Sequence, residues 1–199
     1  MSPPAVILAS KSAARRAVLT GAGVAFEVSV AGVDEDAVKT AMLAQGATPR
    51  DVADALAELK AIRVSRSRPG LVIGSDQTLE FEGKLYDKVE TTAAAAERLK
   101  AMRGKPHKLH SAVVVAKDGA PIWREIVSAT LTMRDFSDAF LADYLAAEGE
   151  EALGSVGCYR LEGPGAQLFS KIEGDYFTIL GLPLMGLLDL LRRHGALKP

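Results

Sequence analysis

The segment Ile7-Leu-Ala-Ser-Lys-Ser-Ala-Ala-Arg-Arg-Ala-Val-Leu19 constrains this chain more than any other. It reads as a short buried strand, a serine-containing turn and a helix with two arginines in its first turn. Two cations at a helix N-terminus oppose the macrodipole, at a cost of roughly 0.3–1 kcal/mol each. An anion at that end reverses the sign, because free backbone N–H groups and both guanidiniums can face it. Ser12 is the expected N-cap, which brings Arg15 and Arg16 close to the exposed N–H groups. Taken alone, the pair reads equally well as two side chains projecting into water.

The 199 residues, 48% of them hydrophobic, suit one compact α/β domain or two lobes sharing a sheet. The 24 basic and 25 acidic side chains leave a net charge of −1. That balance creates no global field for nucleic acid or acidic membranes. A single cysteine, Cys158, excludes an internal disulfide and a cysteine-rich zinc site. His107, His110 and His194 lack metal-ligand spacing. The chain opens without a basic leader, and no uncharged run reaches membrane-spanning length, so a soluble cytoplasmic protein is expected.

Ala5–Ala9 reads as a strand apolar on both faces, followed by a helix through Arg15–Ala22 and a second strand at Phe26–Val30. Val52, Leu56, Leu59 and Ile62 recur at helical spacing between Asp51 and Arg66. Leu71–Ile73 is a buried strand that delivers Gly74-Ser75-Asp76 at its C-terminal end. Glu82-Gly83 is expected to turn a small hairpin between Thr78–Phe81 and Lys84–Tyr86. Thr91–Met102 is helical, and Lys117-Asp-Gly119 joins the strands Leu109–Ala116 and Ile122–Met133. Phe136–Ala147 and Leu184–Arg193 are further helices. Glu148–Gly157 reads as a mobile acidic loop, and Cys158–Leu161, Gln167–Ile172 and Phe177–Leu180 as short strands. With no repeat and no linker, residues 1–199 are expected to form a single domain.

Asp76 is the leading catalytic candidate, because groups past strand ends line the crevice of open α/β sheets. Gly74 permits close backbone approach and Ser75 adds a hydroxyl. The bland alternative is a turn aspartate bonding its own backbone. Glu35 can join Asp76 around a divalent cation, although Asp34-Glu-Asp36 also fits an acid-rich helix start. Lys88 suits a phosphate as a point charge, and Lys60 lies on a helix where most lysines face solvent. Neither a P-loop nor a dinucleotide fingerprint is present, and no serine sits in a nucleophile elbow. Two arginines, a lysine and two carboxylates without a nucleophile point to metal-assisted hydrolysis of a phosphoanhydride.

Together, Leu8-Ala-Ser-Lys-Ser-Ala-Ala-Arg-Arg16, Val33-Asp-Glu35, Ile73-Gly-Ser-Asp-Gln77, Gly157-Cys-Tyr-Arg-Leu-Glu-Gly163, Ile172-Glu-Gly-Asp175 and Gly181-Leu-Pro-Leu184 resemble the motifs of the Maf family of nucleoside triphosphate pyrophosphatases. The resemblance implies an elongated α/β fold with a mixed twisted sheet, flanking helices and two lobes around a cleft, often dimeric. It implies cleavage of the α–β bond of a nucleoside triphosphate with a divalent metal, Mg²⁺ or Mn²⁺, and a role in clearing modified nucleotides. By position, Asp76 matches the catalytic base. Ser10, Arg15, Arg16, Lys60 and Lys88 match groups around the triphosphate, and Glu35 matches a metal-holding acid. Arg15, Gln77 and Glu162 match the positions associated with base selectivity. The extra residue between Ser12 and Arg15, together with Gln77 and Glu162, resembles the branch acting on 7-methyl-GTP. A broad-specificity pyrophosphatase and a non-catalytic nucleotide-binding regulator of division are the alternatives.

Overall fold

A computed structural model describes residues 3–199. Among the described residues seven strands and seven α-helices follow one another: β1 Val6–Leu8, α1 Ala13–Gly21, β2 Glu27–Val28, α2 Glu35–Ala44, α3 Pro49–Ser65, β3 Leu71–Phe81, β4 Lys84–Tyr86, α4 Thr92–Met102, β5 Pro106–Lys117, β6 Ala120–Met133, α5 Asp138–Glu148, β7 Phe169–Glu173, α6 Tyr176–Ile179 and α7 Leu184–Arg193. The sheet runs β2-β1-β3-β5-β6-β7, with β4 paired to β3. β1 is parallel to β2 and β3, whereas β4 is antiparallel to β3 and β7 to β6. The fold is therefore mixed α/β, as expected from the sequence.

The chain forms two compact units. One takes the chain up to Gln77 with His110–Val127 and Tyr176–Pro199; the other takes Thr78–Leu109 and Ser128–Asp175. Strands β3, β5 and β6 contribute residues to both. In the first unit the period-2 alternation of the strands sorts the core into two layers. Leu8, Leu71, Ile73, Val113 and Val115 pack with Leu19 of α1 and Leu184, Leu187 and Leu191 of α7. On the opposite face Ala112, Val114 and Ala116 meet Ala53, Ala57 and Ala61 of α3. In the second unit Phe81, Leu99, Leu131, Phe136 and Leu141 are fully or nearly fully buried. No helix among the described residues is long and apolar enough to cross a membrane.

The local signals hold where their chemistry is simple. Ser12 accepts from Arg15 N and caps α1, Asp34 caps α2, and Thr91 caps α4. Asp118 and Gly119, with φ of 52° and 79°, make the two-residue turn that joins β5 and β6.

Five expectations need correction. β3 does not stop at Ile73 but runs to Phe81, so Asp76 lies in mid-strand. Leu59 is 40% exposed, because α3 turns its small-residue stripe inward instead. Glu148–Gly157 contains a 3₁₀ helix, Gly149–Gly154, and Glu148 is 5% exposed under a two-pronged ion pair from Arg160. Cys158–Leu161 is not a strand. Cys158 adopts φ 60°, and the Ser155 hydroxyl accepts from Tyr159 N and donates to Tyr159 O, taking the groups a ladder would need. Phe177–Leu180 overlaps the short helix α6, closed by Leu180 N to Tyr176 O; periodicity alone cannot sort so short an apolar run.

Candidate active site

Small residues decide where the chemistry sits. A Cβ on Gly74 would lie 2.1 Å from Ala57 O and 2.6 Å from Ala61 N, so only glycine lets β3 and α3 approach this closely. Ala53, Ala57 and Ala61 form the matching stripe on the helix. Lys60 adjoins that stripe and is carried into the interior, at 8% exposure. Its ammonium lies 2.6 Å from Asp76 Oδ1 and 2.9 Å from Glu35 Oε1. Lys60 is thus the hub of two carboxylates rather than a solvent-facing lysine.

Asp76 lies in a gap between the pairing of β3 with β1 and its pairing with β4, while β5 is a further neighbour of β3. β1 accompanies β3 only as far as Ile73, and β4 joins only at Leu79. The functional group therefore stands where β1 ends, although β3 itself continues, and the strand-end rule applies to the neighbouring strand. Burial raises the Asp76 carboxyl above its ordinary value. Lys60 and then Arg15 oppose that rise, and Glu35 adds to it. An elevated carboxylate is a better proton acceptor than a surface aspartate once it is ionised.

The arginine pair is split. Arg15 is buried and Arg16 exposed. Arg15 Nε donates to Gly181 O at 2.9 Å, and Nη1 donates to Ser10 Oγ at 3.0 Å. Burial lowers the pKa of Arg15, while the fields of Asp76 and Glu35 pull it back up. Neutral oxygens orient this cation without cancelling its charge, which suits a guanidinium that meets an anion. Gln77 Nε2 donates to Ser111 Oγ, Thr178 O and Ile179 O at 2.9, 3.1 and 3.0 Å.

Ser10, Arg15, Glu35, Lys60, Asp76 and Gln77 all belong to the first unit, as does Arg16 at its surface. Lys88 and Glu162 belong to the second, both exposed, in irregular segments after β4 and before the 3₁₀ turn Pro164–Leu168. A cavity of about 410 Å³ in the second unit, lined by Phe81, Lys105, His107 and Lys108 among others, contains neither. Burial pushes His107 down to about 4, so it is a neutral partner of Tyr159 OH, 2.7 Å away. The reading from sequence missed Ser111 and Thr178. Their signal is weak, a serine and a threonine within apolar runs, and only the fold brings them to Gln77.

The Lys60 pair makes a pH prediction. Removing Lys60 removes the largest influence holding Asp76 down, so its carboxyl must rise further. In Lys60→Met the acid limb of the kcat/KM profile should move to higher pH. In Glu35→Gln it should move to lower pH. Profiles that superimpose on the parent would show that Asp76 does not control that limb.

Residues 5–194 match the family model of Maf-like proteins. The chain is 62% identical over 197 residues to a nucleoside triphosphate pyrophosphatase of Caulobacter vibrioides, covering 99% of each chain. It is 51% identical over 190 residues to a 7-methyl-GTP pyrophosphatase of Brucella suis, covering 95% of this chain and 96% of the relative. A 7-methyl-GTP pyrophosphatase of Rhizobium meliloti is 50% identical over 195 residues, 98% of each. The chain belongs to the Maf family.

Proposed function

We propose that this protein is a nucleoside triphosphate pyrophosphatase that hydrolyses the α–β phosphoanhydride of a modified nucleotide, 7-methyl-GTP, to the monophosphate and pyrophosphate. The observation that carries the reaction is the cluster of buried Asp76 and Lys60 with the partly exposed Glu35, the buried Arg15 cation contributing to the field on Asp76. Asp76 takes a proton from the attacking water, whose oxygen ends on one side of the broken anhydride. Lys60 orients Asp76, and Arg15 with Ser10 receives phosphate oxygens. Arg16 and Lys88 add positive charge along the triphosphate, as the family resemblance implies.

A divalent cation, Mg²⁺ or Mn²⁺, fits these residues. Asp76 and Glu35 already converge on one cation, the Lys60 ammonium, and hard carboxylate oxygens suit such an ion when substrate phosphates complete its shell. Among the described residues no group of three or more His, Cys, Asp or Glu is placed to hold a metal by itself. When bound, the divalent cation would neutralise charge on the phosphate oxygens.

The base preference rests on the family resemblance and on the two relatives named for 7-methyl-GTP. Glu162 is the residue to which this reading gives the base edge. A carboxylate accepts from the guanine N1–H and amino group, and it favours the positive charge of an N7-methylated ring. A panel of 7-methyl-GTP, GTP, dTTP, UTP and ITP tests this through pyrophosphate release. The parent should prefer 7-methyl-GTP, and Glu162→Gln should shrink that preference by roughly tenfold, the scale of one charge-assisted contact. Equal rates across the panel would make the enzyme broad in specificity. An unchanged preference in Glu162→Gln would remove Glu162 from base reading.

A further inference from the structure

The first carbonyl of the motif Gly181-Leu-Pro-Leu184 anchors the buried arginine. Gly181 O accepts from Arg15 Nε and from Ser75 Oγ, each at 2.9 Å. Its position depends on the turn that closes α6. Gly181 adopts φ +90°, a conformation other residues rarely take, and its N–H bonds back to Thr178 O at 3.0 Å. Helix C-termini leave carbonyls without intrahelical partners. Here those carbonyls are met from neighbouring strands: Thr178 O accepts from Ser111 Oγ at 2.7 Å and from Gln77 Nε2, which also reaches Ile179 O.

We propose that Gln77 and Ser111 are positioning residues for phosphate binding: they clamp the Tyr176–Gly181 turn so that the Gly181 carbonyl holds the Arg15 guanidinium in place. The inference rests on the reading of Arg15 as a phosphate-binding cation. It gives Gln77 a task independent of the nucleobase, whatever its carboxamide oxygen contributes to selectivity. All three bonds from Gln77 leave through Nε2, so the amide end is committed to the turn. The clamp is short. One side chain and two peptide units separate Gln77 from the carbonyl that orients Arg15.

The test uses inorganic tripolyphosphate, which has no base, and measures its affinity by calorimetry together with kcat/KM on 7-methyl-GTP. Gln77→Met removes the donors at similar volume, and Ser111→Ala is a milder second cut. Gln77→Met should weaken tripolyphosphate binding by roughly tenfold, a size typical of coupled neighbours, and Ser111→Ala should weaken it in the same direction. In an Arg15→Lys background, which lacks the Nε contact, the Gln77→Met loss should shrink below about twofold. Thermal melts identify any variant that fails to fold, and Ser111→Ala then carries the same cycle. Undiminished tripolyphosphate affinity in folded Gln77→Met, or an equal loss in both backgrounds, would overturn the clamp. A parent protein that neither binds tripolyphosphate nor turns over nucleotide would instead overturn the phosphate-site reading itself.

Discussion

Replacing Asp76 with Asn is expected to reduce pyrophosphate release about a thousandfold, within the range seen when a positioned general base is lost. The substitution keeps the shape of the side chain and removes the proton acceptor. It should not unfold the protein. Folding raises the Asp76 carboxyl above its unfolded value near 3.8, and burial is the largest cause. The stability contributed by this group is then fully present below the unfolded value and lost as pH climbs through the raised folded value. Above that raised value the ionised carboxylate is a net burden on the fold, and a permanently neutral Asn lifts it. Lys60 keeps Glu35 as a partner 2.9 Å away. The expected outcome is a Tm at or above that of the parent with activity nearly gone. A variant that retains a tenth of parental kcat would remove Asp76 from the role of base.

Gly74→Ala is expected to have the largest effect on stability. The added methyl would collide with Ala57 O, Ala61 N and Ala61 Cβ, at 2.1, 2.6 and 2.8 Å. Two of these are backbone atoms of α3, so no rotamer change relieves the clash. Overpacking of this kind costs about 3 kcal/mol. For a chain of this size that corresponds to a Tm lowered by about 6–12 °C. Activity should fall as well, because moving α3 off β3 moves Lys60 off Asp76. Thermal melts and kcat/KM on the same preparation check both consequences. A Tm within about 1 °C of the parent would mean that α3 does not seat against Gly74.

The elements that fixed this site were legible in the sequence to different degrees. The capped start of α1 could be read because a serine, two small residues and two arginines follow a short apolar strand. Which arginine turns inward could not, since Arg15 is selected by a carbonyl 166 residues further on. Gly74 was visible as a point of close approach, but its partner, the alanine stripe of α3, became apparent only when the strand and helix met. Lys60 illustrates the limit of amphipathic patterning. Its place beside Ala57 and Ala61 puts it on the buried face, whereas the larger apolar Leu59 draws attention to the wrong one. The strand end expected at Ile73 was misplaced because Gly-Ser-Asp resembles a turn. In the fold the same residues continue a strand that pairs with β1 up to Ile73 and with β4 from Leu79, with β5 as a further neighbour. The segment after α5 was misread for a related reason: its polar groups bond within the segment and to nearby side chains, through Ser155 and Arg160, and leave no periodic trace.

Cleavage of the α–β bond by water is best tested by product analysis of 7-methyl-GTP hydrolysis in ¹⁸O-labelled water. The expected products are equimolar 7-methyl-GMP and pyrophosphate, with one label incorporated per turnover and none in Asp76→Asn above background. Release of orthophosphate with 7-methyl-GDP would contradict such cleavage, and so would binding without turnover.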